Sequence, residues 1–110
     1  MIRVKIMRNP SNRSIESFSI SGHANYANHG EDIVCAGVSA VTVGTVNSIE
    51  ALTGVVLDSK MKDGFLSGRL TSVDSPDTSA KVQLLLESMV VMLNTIAGSY
   101  GTYIEIHDKK

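Results

Sequence analysis

The sequence predicts an α+β domain with the element order β-β-α-β-β-α-β, in which two helices pack on a largely antiparallel sheet. The first observation is size, because 110 residues, 43% of them hydrophobic, suit a single domain over residues 1–110. The second is that short segments of alternating apolar and polar residues end at turn signals, as strands do. The third is that two longer segments repeat apolar residues every three or four positions, which is typical of one face of a helix.

The strands are predicted as two hairpins and a final strand. The first hairpin begins with apolar and charged residues that alternate from Ile2 to Ile6, and it turns near Asn9-Pro10. The second flanks the turn signal Lys-Asp-Gly at residues 62–64. The predicted strands cover residues 2–7, 15–20, 55–59, 65–70 and 102–107.

The two helices are predicted on different grounds. The first begins near Cys35 and is rich in β-branched residues, whose propensity favours a strand. It continues to a turn signal at residues 53–54, however, and is too long for a typical strand. The second has a clear start, with Ser75 as the N-cap and Pro76 in the first helical position. We expect this helix to end with a C-terminal cap at Gly98.

The composition argues against several classes of protein. Ten basic and eleven acidic residues nearly cancel, which leaves no electrostatic footprint for nucleic acid and no polybasic patch for a membrane surface. The longest apolar run is interrupted by polar residues, so no membrane span is predicted. A single cysteine cannot form an intramolecular disulfide, as expected in a reducing compartment. We therefore expect a cytoplasmic domain that contacts neither nucleic acid directly nor a membrane.

Residues 21–40, SGHANYANHGEDIVCAGVSA, hold the only cysteine of the chain and two of its three histidines. Packing is the simplest explanation, because a lone cysteine beside a helix is often a small buried side chain. Metal binding is a second explanation, and the side chains that could serve as ligands are His23, His29, Asp32 and Cys35. Their spacing matches no common zinc site, so no metal is predicted.

Cysteine catalysis is the third explanation. A helix that begins near Cys35 would place its unpaired N–H groups and the positive end of its dipole against the sulfur, which favours the reactive thiolate. The backbone N–H groups of Cys35 and Ala36 could stabilise an oxyanion, and His23 could act as general acid and base. Gly22 and Gly30 would give the loop freedom to close over a substrate. These residues by themselves leave all three explanations open.

Three blocks in this segment resemble the ribosomal-processing cysteine proteases of bacteria, the Prp family. The blocks are Gly22-His23-Ala24, Asp32-Ile33-Val34-Cys35-Ala36 and Val38-Ser39-Ala40, in the order and at the spacing of that family. The resemblance extends over the whole chain and includes DSPDTSAKVQLLLESM at the start of the second predicted helix. It is far more specific than an isolated histidine and cysteine.

The resemblance implies a small α+β homodimer that uses no cofactor and has a mobile histidine loop. It implies a cysteine endopeptidase that removes a short N-terminal extension from a large-subunit ribosomal protein, cleaving after a motif that ends in aromatic residues. Cys35 then corresponds to the nucleophile and His23 to its catalytic partner. The alternative function is a non-catalytic partner of ribosomal proteins or of the assembling large subunit.

Asp32 and Ser39 match the family's blocks, but the match assigns them no task. Asp32 could orient His23, cap the helix or contact the substrate. Ser39, one turn after Cys35, could support the site by hydrogen bonding or bond a backbone carbonyl. His29 is expected to serve the loop or the substrate wall rather than catalysis.

Overall fold

The computed structural model describes residues 1–28 and 31–109. Within them, the element order is the predicted β-β-α-β-β-α-β. The strands are β1 (Ile2–Arg8), β2 (Ile15–Ser21), β3 (Asp58–Lys62), β4 (Phe65–Arg69) and β5 (Ile104–Asp108). The helices are α1 (Ile33–Thr53) and α2 (Pro76–Tyr100).

The described strands form one sheet in the order β3-β4-β2-β1-β5. The pairs β1–β2 and β3–β4 are antiparallel, as expected of hairpin-connected strands, and β2 and β4 are antiparallel as well. The remaining pair, β1 and β5, is parallel, with Ile2 opposite Ile104. The sheet is therefore mixed but largely antiparallel, and the predicted fold class is confirmed.

The core lies between the sheet and the two helices, which also pack against each other. In β1 every second side chain from Ile2 to Ile6 is buried, as the alternation predicts. In β2 the ring of Phe18 lies on Gly68 of β4, where an added Cβ would come within 2.6 Å of the ring. The buried helix residues of this core include Val34, Val38, Ile49, Val82, Leu86, Met89 and Leu93. The packing of Val34 fixes the first turn of α1, the turn that carries Cys35.

The third strand differs from the predicted residues 55–59. It is Asp58–Lys62, and all its residues are exposed. Its register is set by the two-residue turn Asp63-Gly64, in which Gly64 has a φ of 71°. The alternation that suggested an earlier strand comes from Leu57, which is buried just before β3 begins.

Both helices extend beyond their predicted bounds. α1 begins at Ile33 rather than near Cys35, because the side chain of Asp32 accepts hydrogen bonds from the first turn and caps it. Ser75 caps α2 as predicted, but Gly98 lies inside that helix, so the C-terminal cap expected there is wrong. The last turn continues to Tyr100 because its side chains, Tyr100 among them, pack against the core.

By length and composition alone, each of the two helices could cross a membrane. Both instead supply side chains to the shared core and pack against each other. The core helix of a globular domain passes the same test, so the two helices are weak grounds for a membrane span.

Candidate active site

A groove of about 630 Å³ runs between α1, the histidine loop after β2 and the β3–β4 hairpin. The side chains of His23 and Cys35 both line it, as do Asp32 and Ser39. The groove thus contains the two predicted catalytic residues and the two family-block residues whose task was left open. Its opposite wall is the hairpin segment Met61–Leu66, which no sequence motif connects with the site.

Cys35 lies in the first turn of α1, with its side chain partly buried. The backbone N–H groups of Val34 and Cys35 both donate to Oδ1 of Asp32, at 3.0 Å. The N–H of Ala36 donates to the backbone oxygen of Asp32, also at 3.0 Å, as the first regular bond of the helix. Asp32 is therefore a helix cap, one of the three tasks left open for it.

This capping contradicts the expected unpaired N–H groups of the oxyanion site, whose catalytic role stays a prediction. The N–H groups of Cys35 and Ala36 were expected to be unpaired, but both donate to Asp32. The reason is that α1 starts at Ile33, so the Cys35 N–H in its first turn is capped by the Asp32 side chain and the Ala36 N–H begins the regular helix bonds. The backbone group that does point at the sulfur is the N–H of Ala24, which lies 3.3 Å from Sγ. Ala24 belongs to the Gly22-His23-Ala24 block, but the sequence assigns it no role, because the contact depends on how the loop crosses the helix.

The carboxylate of Asp32 also joins the loop to the helix. Burial acts to raise its pKa, but hydrogen bonds from the backbone of Cys35, Tyr26 and Ala27 outweigh burial and hold the pKa below its usual 3.8. The bond from the Tyr26 N–H to Oδ2 is 2.9 Å long. Asp32 is consequently ionised at neutral pH, and one carboxylate holds both the first turn of α1 and the histidine loop.

Gly22 has a role different from the predicted freedom of the loop. Its φ is 89°, and an added Cβ would lie only 2.4 Å from the backbone oxygen of Met1. Its N–H donates to the oxygen of Gly64 at 2.9 Å. Glycine is therefore required at position 22 for two reasons. Its own backbone is left-handed, and it passes too close to the backbone of Met1 to leave room for a side chain. Gly30, the second predicted flexible position, and His29 lie outside the described residues.

The described part of the histidine loop is attached at several points. Ala24 is buried, and the ring of Tyr26 meets Tyr100 and Tyr103 edge to face, with centroids 5.9 and 5.2 Å apart. The backbone oxygen of His23 accepts a hydrogen bond of 2.6 Å from the Met1 amino group. The mobility of this loop stays a prediction, and movement would have to break these contacts.

The side chain of His23 is 47% exposed, and its Nε2 atom lies 4.0 Å from Oδ1 of Asp63 in the β3–β4 turn. Ser39 is exposed on the groove wall one turn after Cys35. In residues 1–28 and 31–109 no three His, Cys, Asp or Glu side chains are grouped so that they could hold a metal ion. A thiol and a half-exposed imidazole in one groove are the groups a cysteine-dependent hydrolase requires.

The comparison with known proteins identifies this class more closely. The family model described as cysteine protease Prp matches residues 1–105, and the chain belongs to that family. It is 41% identical over 108 residues to the ribosomal processing cysteine protease Prp of Bacillus subtilis, covering 96% of each chain. It is 38% identical over 109 residues to the protein of the same name from Staphylococcus aureus, covering 99% of this chain and all of that one.

A solved structure shares the fold over the same length. It is the essential ribosomal processing protease Prp from S. aureus, in complex with a covalently linked product peptide. The TM-score is 0.88 at 35% identity, and the match covers 99% of this chain and 100% of that one. The expected family is therefore confirmed, and this chain is a cysteine protease.

Proposed function

We propose that this protease removes a short N-terminal extension from a large-subunit ribosomal protein, cutting after a motif that ends in aromatic residues. The observation that carries the proposal is the groove, in which the nucleophile candidate and the histidine lie beside apolar walls. The wall residues Val38, Phe65 and Leu66 line the same groove as Cys35 and give it apolar surface. Such a surface suits the aromatic side chains of an extended peptide. The names of the relatives, ribosomal processing proteases, support a ribosomal substrate.

The proposed reaction uses two residues. The Sγ atom of Cys35 attacks the carbonyl carbon of the scissile peptide bond while His23 holds the thiol proton. His23 then gives this proton to the departing amine, and the extension remains attached to Cys35 as a thioester. A water molecule, deprotonated by His23, hydrolyses the thioester and releases the extension as a free acid. The Ala24 N–H donates to the sulfur at 3.3 Å, and a hydrogen bond to the charged form of this group favours the thiolate that attacks.

We also propose that the enzyme acts in the cytoplasm as a homodimer. The lone cysteine and the intracellular nature of a ribosomal substrate support the location. Exposed apolar side chains on the outer face of α2, Leu84 and Val91, supply a surface that a second copy could cover. Sedimentation of the purified protein would test the dimer.

The experiment that tests the function incubates the wild type and Cys35→Ala with a ribosomal protein that carries an aromatic-ending N-terminal extension, and follows the mass of that protein. We expect the wild type alone to shorten it, at the bond after the aromatic motif. Shortening by both would mean that Cys35 is not the nucleophile. Stable binding without cleavage by either would favour the non-catalytic alternative.

A further inference from the structure

The β3–β4 turn meets the histidine loop at three points. The N–H of Gly22 donates to the oxygen of Gly64 at 2.9 Å, which fixes the residue before His23. The imidazole of His23 lies against the α-carbon of Gly64, where an added Cβ would come within 2.8 Å of Nε2. The same Nε2 lies 4.0 Å from Oδ1 of Asp63. The backbone before His23 and the Nε2 end of its ring thus both lie against this two-residue turn.

We propose that the turn Asp63-Gly64 positions His23 for catalysis, with Asp63 as a positioning residue and Gly64 as the surface on which the ring rests. An imidazole has two nitrogens, and the one that carries the proton is set by the partner of the other. A carboxylate beside Nε2 favours a proton there, which leaves Nδ1 to exchange a proton with Cys35. The activity part of this inference rests on the proposed function.

The distance of Asp63 from His23 and its exposure to solvent limit how strongly it can position the ring. At 4.0 Å the two atoms are too far apart for a hydrogen bond, and rotation of the exposed Asp63 side chain is needed to bring them within reach. Because the carboxylate is 84% exposed, water screens it strongly. We therefore expect a moderate contribution from Asp63. The effect of Gly64 is larger, because any side chain there collides with the ring.

The chain contains a matched control for Gly64. Gly54, after α1, has a φ of 79°, close to the 71° of Gly64, but an added Cβ at Gly54 would meet nothing within 4 Å. Gly54→Ala and Gly64→Ala therefore impose the same backbone strain, and only the second displaces His23. For Asp63, the pair Asp63→Ala and Asp63→Glu tests whether a carboxylate restores what alanine removes.

The test has two measurements. NMR follows the position and tautomer of His23 through the nitrogen and carbon chemical shifts of its ring, and the rate of alkylation with iodoacetamide measures the reactivity of Cys35. Neither readout needs a substrate. We expect Gly64→Ala, but not Gly54→Ala, to move the His23 ring signals and to slow alkylation to the rate of His23→Ala. Asp63→Ala should shift the ring from the Nε2–H tautomer toward a mixture and slow alkylation about 3- to 10-fold, with recovery in Asp63→Glu.

Peptide cleavage then links the turn to catalysis, because a positioning role lowers kcat and leaves KM nearly unchanged. Ring signals and alkylation rates in Gly64→Ala that equal those in Gly54→Ala would overturn the inference, as would an unchanged His23 tautomer in Asp63→Ala. If the ring and alkylation effects appear but the wild type cleaves no ribosomal substrate, the proposed function fails and the positioning of His23 stands.

Discussion

The two ends of β1 differ in how far the nearby charged or titratable side chains are buried and paired. At the end of the strand, the Arg8 side chain is 4% exposed and makes two hydrogen bonds each to Glu87 and Asp108, between 2.6 and 3.0 Å long. Hydrogen bonds to Glu87 and then Asp108 raise the pKa of Arg8 above its usual range. At the other end, where β1 begins beside the groove, His23 is half exposed and its closest described carboxylate is 4.0 Å away.

The difference shows how the fold separates stability from chemistry. A buried arginine that bonds a nearly buried aspartate and a partly exposed glutamate joins β1, α2 and β5 and does not readily change protonation. A histidine that must accept and return a proton needs a loose partner and access to the substrate. The chain therefore places its fully paired charges away from the groove and leaves the groove with groups that can react.

The largest expected effect is on catalysis, from His23→Ala. We expect kcat for peptide cleavage to fall at least about 10³-fold, because both proton transfers of the proposed reaction use this ring. The melting temperature should change little, since a half-exposed loop side chain carries little packing. His107→Ala is the matched control, because His107 is exposed on β5 with Glu105 as its partner. Unfolding of His23→Ala would instead make His23 a structural residue and remove the contrast between the two ends.

The next effect is on stability, from Arg8→Met. We expect the free energy of unfolding to fall by about 2–4 kcal/mol, because two carboxylates lose their buried partner. The kcat of the folded protein should remain that of the wild type. Urea unfolding and steady-state cleavage measure the two quantities. Arg3→Met, which removes an exposed pair with Glu105 from the same strand, should change stability far less. Equal losses from the two arginines would contradict the special role of the buried cluster.

A smaller effect is expected at the two helix caps. Asp32→Ala and Ser75→Ala each remove a side chain that accepts from the first turn of its helix, and each should cost about 1 kcal/mol of unfolding free energy. Only Asp32→Ala should also reduce kcat, because Asp32 holds the loop through Tyr26. A loss of kcat in Ser75→Ala of similar size would show that helix stability in general, rather than the cap at the groove, controls activity.

The pH dependence distinguishes the two caps further. The pKa of Asp32 is lower in the folded protein than in the unfolded chain. Its stabilisation is therefore complete above the ordinary value of 3.8 and is lost as the pH falls through the lowered folded pKa. The stability difference between the wild type and Asp32→Ala should shrink below pH 3.8, whereas the difference for Ser75→Ala should not follow a carboxylate titration. Urea unfolding between neutral and acidic pH would measure both.

Local patterns predicted most of the fold. Ser75 and Pro76 marked the start of α2 because capping depends on adjacent residues. The parallel pairing of β5 with β1 depends on the packing of α2 and could not be read from the strands themselves. The shift of β3 to Asp58–Lys62 has a similar cause, because the hairpin register set by the turn decided which residues pair.

Less of the site could be predicted, for the same reason. The motif selected His23 and Cys35, and both line the groove. The contacts of Ala24 with Cys35 and of Asp63 with His23 could not be predicted, because each joins parts of the chain that are distant in sequence. The pairing of the Cys35 and Ala36 N–H groups with Asp32 was also not predicted, because it depends on where α1 starts, and their oxyanion role stays a prediction.

The central claim, that Cys35 in the capped first turn of α1 is the nucleophile, is tested most directly by trapping the acyl-enzyme. The wild type would be mixed with a peptide that spans the cleavage site, quenched in acid within the first turnover and digested for mass spectrometry. The predicted result is the N-terminal part of the peptide joined as a thioester to Cys35, with the C-terminal part released. Turnover with the acyl group on another residue, or turnover by Cys35→Ala, would contradict the claim.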